Sequence, residues 1–124
     1  MRKVISSKNA PKAIGPYSQA IEVKGLVFVS GQLPIQPENG EMPEGVEEQT
    51  KQSLENVKAI LAEAGLSMNH VIKTTVYLNN MALFSAMNKV YETYFIDTYP
   101  ARSAFAVKEL PKGALVEVEC IAAR

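Results

Sequence analysis

The run LVEVECIAA near the C-terminus limits the fold more than any other stretch. Val116, Val118, Cys120 and Ala122 fall on one side of an extended chain, and Leu115, Glu117, Glu119 and Ile121 on the other. A period of two puts alternate side chains on opposite faces of a strand. Such a strand has one side in a core while its other side carries acids. It fits a sheet covered by helices on one face only.

The rest of the chain supplies that sheet and its cover. Lys3 to Ser6 reads as a short first strand, Gln19 to Val23 as a second and Leu26 to Val29 as a third, with a tight turn at Lys24-Gly25. NAPKAIGPYS, with two prolines and a glycine, is a shaped loop. Ser30-Gly31-Gln32 ends the third strand, and a loop rich in Pro and Gly follows. From Val46 to Ala64 the apolar residues Val46, Leu54, Val57, Ile60, Leu61 and Ala64 recur at helical spacing, and Gly65 is a C-terminal stop. Val71 to Leu78 is β-branched and strand-like, with Ile72, Thr74, Val76 and Leu78 on one face. A second helix is capped by Asn79 or Asn80. It carries Leu83, Phe84, Met87, Val90, Tyr91, Tyr94 and Phe95 as one stripe and stops before Pro100. Ser103 to Val107 reads as a buried strand opened by the turn at Tyr99-Pro100, and LPKG turns into the last strand.

The order is β-β-β-α-β-α-β-β, an α+β layer of about six strands with both helices on one face. Leu26 to Val29 is continuously apolar and asks for burial on both faces. Two helices cover only one, so a second copy of the chain is expected over the other, as a homo-oligomer.

Composition narrows the function. The 124 residues fit one domain, 1–124, and the 47% hydrophobic and 21% charged content is that of a globular chain. Thirteen basic and thirteen acidic residues leave no net charge, and no basic cluster stands out. That argues against nucleic acid as a partner. No apolar run approaches a membrane span, and no long apolar leader is present. One cysteine, Cys120, allows no intrachain disulfide, and one histidine, His70, leaves no usual zinc site. The expectation is a cytoplasmic protein with no metal and no cofactor.

Several residues can carry chemistry. Arg102 stands in YPARSAFAV at the mouth of an apolar strand. Its charge must reach water, pair with an internal carboxylate, or meet an anion from outside. Glu117 and Glu119 lie roughly 7 Å apart on the face away from the helices. There a carboxylate is a general base, a holder of water, or one half of an ion pair with Lys73. Asn88 projects within about 40° of Phe84 on an ideal helix, close to Tyr91, and either bonds neighbouring backbone or shapes a pocket. Tyr17 follows the rigid Gly15-Pro16 pair as a pocket wall or a loop anchor. Ser30-Gly31 is a turn or a place where a ligand can approach backbone N–H. His70 reads as a surface histidine and Cys120 as an inert core thiol. No P-loop, dinucleotide fingerprint or nucleophile elbow is present.

NAPKAIGPYSQAI, VSGQLP, QSLENVKAILAEAGL, VIKTTVYL, NKVYETYF, PARSAFAV and LPKGALVEVECIA together resemble the Rid family of reactive intermediate deaminases, also called the YjgF family. The RidA subgroup, which hydrolyses 2-imino acids, is the nearest match. The resemblance implies a chorismate-mutase-like fold and a homotrimer whose sheets form a central barrel, with clefts between subunits. It places the family's carboxylate-binding arginine on Arg102 and its water-positioning glutamate on Glu117, one strand away. It also places the family's tyrosine on Tyr17, its Ser-Gly pair on Ser30 and Gly31, and its helix asparagine on Asn88. Many relatives read PARSCVEV where this chain has Ala104, Phe105 and Ala106. A backbone role at Ala104 survives that change, and a thiol role does not. The implied reaction converts 2-iminobutanoate or 2-iminopropanoate to the 2-oxo acid and ammonia. A non-catalytic binder of 2-oxo acids or amino acids is the alternative.

Overall fold

The computed structural model describes all residues, 1–124. Six strands form one mixed sheet in the order β1-β2-β3-β6-β4-β5. They are β1 (Lys3–Ile5), β2 (Ala20–Val23), β3 (Leu26–Gln32), β4 (Val71–Leu78), β5 (Ala101–Ala106) and β6 (Val116–Ala123). Helix α1 spans Val46–Glu63 and α2 spans Phe84–Tyr91. Only β4 and β5 pair in parallel, joined through α2; every other pairing is antiparallel.

Both helices cover one face. Val27, Val29, Thr74, Val76, Leu78, Val116, Val118, Cys120 and Ala122 are buried beneath them. The alternation along β6 is as the sequence requires, with Glu117, Glu119 and Ile121 turned the other way. From α1, Leu54, Val57, Ile60 and Leu61 complete the core. At roughly 1.5–3 kcal/mol for each large aliphatic side chain, this burial is the main stabilising term. The helix ends at Gly65, φ 76°, where Leu66 N–H reaches Leu61 O at 2.8 Å and Gly65 N–H reaches Ala62 O at 2.9 Å. Polar residues fill the gap in its apolar stripe. Asn56 Nδ2 donates to Leu33 O (3.1 Å) and Ile35 O (2.9 Å), and Gln49 Oε1 accepts from Leu115 N–H (2.8 Å). These bonds tie the long loop and the start of β6 to α1.

As expected of a sheet covered by helices on one face only, Val27 and Val29 of β3 are buried and Phe28 is 42% exposed on the side without helices. Other expectations are corrected. β3 does not stop at Ser30. It runs to Gln32 through a bulge, in which Val29 and Gln32 face Cys120 and Val118 of β6, so that one extra residue is accommodated at Ser30-Gly31. A second bulge, between Val71 and Lys73, turns Ile72 outward to 48% exposure, so Val71 rather than Ile72 joins the core. The second helix is shorter than its stripe suggested. Single 3₁₀ turns, Met81–Leu83 and Glu92–Tyr94, flank α2, and Asn80 Oδ1 caps the first from Ala82 N–H at 2.8 Å. β5 is neither buried nor preceded by Arg102. It is an edge strand that begins at Ala101, and only Ala104 in it is half-buried.

Candidate active site

Arg102 is the second residue of β5 and lies in register with Thr74 on β4, so its side chain leaves on the helix side. There it meets one face of α2, because Phe84, Asn88 and Tyr91 recur at helical spacing. Nη1 donates to Asn88 Oδ1 at 2.6 Å. The guanidinium carbon stands 4.8 Å from the Tyr91 ring centroid and 5.4 Å from that of Phe84. Both rings stabilise a cation through their electron-rich faces. Tyr91 is itself fixed, its hydroxyl 2.7 Å from Thr74 Oγ1 and its ring tilted against Phe95. The one ion pair within 4.0 Å in the whole chain is Arg124 with Glu22, so Arg102 has no carboxylate partner. Its charge faces an open cleft of about 570 Å³ lined by Asn88, Tyr91, Glu92, Tyr99, Pro100 and Arg102.

Ala104 lies two residues along the same strand. Val107 N–H donates to Leu78 O at 2.8 Å, which fixes the alternation of β5. The N–H and C=O groups of Arg102, Ala104 and Ala106 therefore point away from β4, along the open edge. They are free to bind a ligand or another chain.

The acid lies elsewhere. Glu117 is opposite Tyr77 on β4, which is opposite Phe105 on β5. It is thus two strands from β5 rather than one, on the face away from the helices, and Arg102 and Glu117 do not share a cleft within one chain. The Glu117 side chain lies across Gly31: a Cβ built there would fall inside the carboxylate. Burial raises its pKa above the usual carboxylate range, and the charge of Glu119 adds to the shift. Glu119 makes no ion pair with Lys73, and neither does Glu117. Tyr77 packs edge-on against Phe105, ring centroids 5.6 Å apart, and burial and then Glu119 raise its pKa.

Gly31 lines a second pocket, of about 520 Å³, together with Tyr17, Gln19, Ile14, Lys12 and Lys112. Gln19 shapes the loop that brings Tyr17 there. Its Oε1 accepts from Ser7 N–H at 2.6 Å, and its Nε2 donates to Ser7 O and Pro11 O at 3.1 and 2.8 Å. Ser30 completes the hold, its hydroxyl donating to Ser18 O at 2.6 Å and its N–H to Gln19 O at 2.9 Å. Ser30 therefore fastens the Tyr17 loop to the bulge.

The residues named from the sequence thus fall into two groups. Arg102, Asn88 and Ala104 form one; Tyr17, Ser30, Gly31 and Glu117 form the other. Glu92 and Tyr99, which line the arginine cleft, and Tyr77, beside Glu117, were not singled out. Their signals were present: Glu92 is one helical turn beyond Asn88, and Tyr77 shares a strand face with Thr75. His70 is half-buried and serves a local role, its Nδ1 accepting from Ser67 N–H at 3.0 Å. Cys120 is buried, which pushes its thiol up to about 12. No group of three or more His, Cys, Asp and Glu stands together as metal ligands, and neither helix is long and apolar enough to cross a membrane.

Residues 7–124 match the family model described as Endoribonuclease L-PSP. The 2-iminobutanoate/2-iminopropanoate deaminase of Mus musculus is 49% identical over 98% of this chain and 91% of its own length. The chain belongs to the Rid family. A RutC family protein of Pyrococcus abyssi is 54% identical to this Rid chain over 98% of it and 96% of that protein. The crystal structure of Escherichia coli TdcF with bound serine has 46% identity and a TM-score of 0.95, covering 98% of each chain. The Rid fold, a six-stranded mixed sheet with two helices, is therefore shared throughout.

Proposed function

We propose that the protein hydrolyses small 2-imino acids, 2-iminobutanoate and 2-iminopropanoate, to 2-oxo acids and ammonia in a cleft shared by two copies of the chain. The observation that carries this is Arg102, a fixed guanidinium without a carboxylate partner. Its planar fork matches a substrate carboxylate in geometry and charge. The relative named as a 2-iminobutanoate/2-iminopropanoate deaminase, at 49% identity, supports the reaction class.

Arg102 and Glu117 act on one substrate only if two chains meet. The exposed edge of β5 and the face bearing Phe28, Tyr77, Phe105 and Glu117 offer the surface for this. A homotrimer closed around that face brings the arginine half of one copy to the glutamate half of the next. Arg102 then holds the carboxylate, and the outward backbone of Ala104 and the N–H groups at Gly31 orient the imine. Glu117 takes a proton from a water as its oxygen adds to C2. That proton passes to nitrogen to give the carbinolamine, and the remaining O–H proton follows through Glu117 to nitrogen as the C–N bond breaks and the C=O bond forms, leaving the 2-oxo acid and ammonia. The imine is already electrophilic, so positioning does most of the work.

A coupled threonine dehydratase assay tests this directly, by the acceleration of 2-oxobutanoate formation over spontaneous imine decay. Acceleration by the wild type that vanishes in Arg102→Ala supports the proposal; equal acceleration by both overturns it. The serine bound to Escherichia coli TdcF favours a second reading, a binder of amino acids or 2-oxo acids. Binding needs Arg102 but not Glu117. Glu117→Gln that keeps affinity and loses turnover marks an enzyme; a wild type that binds without turnover marks a binder.

A further inference from the structure

The arginine cleft contains a second charge. Glu92 follows Asn88 by four residues, at the start of the 3₁₀ turn that extends α2, and lines the same cleft as Arg102. The two are not paired: no ion pair within 4.0 Å joins them, and Lys89, on the last turn of α2, does not pair with Glu92 either. Asn88 lines the same cleft as both. Its Oδ1 accepts from Arg102, and its Nδ2 has no acceptor in the chain. The cleft thus offers a guanidinium and an amide donor to an anion, and a carboxylate to a cation.

We infer that Glu92 is a specificity-determining residue that recognises the positively charged nitrogen of the ligand. The class favoured is then a small zwitterion, a protonated 2-imino acid or an α-amino acid, over the 2-oxo acid that hydrolysis produces. This rests on Arg102 as the carboxylate holder and adds discrimination between substrate and product. An acid beside an anion site disfavours any ligand that brings only a carboxylate, and that penalty is relieved when the ligand also carries a cation. Loss of ammonia removes the cation, so Glu92 weakens the hold on the product and speeds its release.

The test compares ligands that differ only at that atom. L-2-aminobutanoate carries an ammonium where 2-oxobutanoate carries a carbonyl. Calorimetric titration of both into the wild type, Glu92→Gln and Arg102→Ala separates the two claims. Glu92 is exposed, so the glutamine variant is expected to fold and assemble as the wild type does. The inference predicts that Glu92→Gln weakens L-2-aminobutanoate about fivefold or more, and leaves 2-oxobutanoate unchanged or tighter. It also predicts a lower ratio of the 2-oxobutanoate inhibition constant to the substrate KM in that variant. Equal change for both ligands, no change for either, or a wild type that binds 2-oxobutanoate but not L-2-aminobutanoate overturns the role of Glu92. Undiminished binding of both by Arg102→Ala overturns the assignment of Arg102 instead.

Discussion

Arg102 owes its position to α2 rather than to a counter-charge. One amide and two rings hold it, and none of them neutralises it. Lysine cannot reproduce a fork bonded to Asn88 and stacked on Tyr91. Arg102→Lys is therefore expected to lose about a hundredfold in kcat/KM, nearly as much as Arg102→Ala, in the coupled assay. Gly31 is constrained by Glu117 instead of by its own backbone, which does not lie in the left-handed region. Gly31→Ala should fold, because the carboxylate can swing aside, but the displaced acid should cost about tenfold or more in kcat with little change in Tm. Glu117 also gives opposite pH signatures in activity and stability. Its pKa is raised in the folded chain, chiefly by burial. Stability from the neutral form is complete below the unfolded carboxyl pKa and is lost as pH rises through the folded value. Activity needs the ionised base, so it rises over that same window. Glu117→Gln should raise Tm near neutral pH, leave it unchanged in acid, and abolish the pH-dependent rise in kcat. The sequence pattern marked both charges as candidates with ordinary alternatives open, and the resemblance supplied their roles. That Arg102 leaves on the helix side depends on its register with Thr74, and its two-strand distance from Glu117 on the order β6-β4-β5; strand patterns encode neither.

At the scale of elements, the regular periods read truly and the irregular ones did not. The alternation in β6 and the α1 stripe survive in the fold, since each follows a single period against one core. The bulges at Ser30-Gly31 and at Ile72 break a period by one residue, and no local propensity marks them. Apolar Leu26 to Val29 and Ala104 to Val107 read as buried, although one borders an uncovered face and the other forms an edge. Apolar content marks surface that cover would stabilise, and a single chain leaves Phe28 and Phe105 of these stretches exposed. The polar residues of α1 are the elements' hidden fasteners. Asn56→Ala leaves the carbonyls of Leu33 and Ile35 without their donor and is expected to cost about 2 kcal/mol in urea unfolding. Ser30→Ala releases the Tyr17 loop from β3 and should raise KM several-fold, with a loss of about 1 kcal/mol.

For the whole molecule, the central claim is that each site draws Arg102 from one copy and Glu117 from the next. A closed ring of like subunits then has as many sites as chains. Purified Arg102→Ala and Glu117→Gln are each expected to be inactive. Unfolding, mixing in equal amounts and refolding them together produces mixed assemblies. A working site needs its arginine from a Glu117→Gln chain and its glutamate from an Arg102→Ala chain, which random assembly provides at about one site in four. The predicted result is recovery of about a quarter of wild-type imine hydrolysis in the mixture. Mixed assemblies that form and stay inactive would contradict a site shared between two chains.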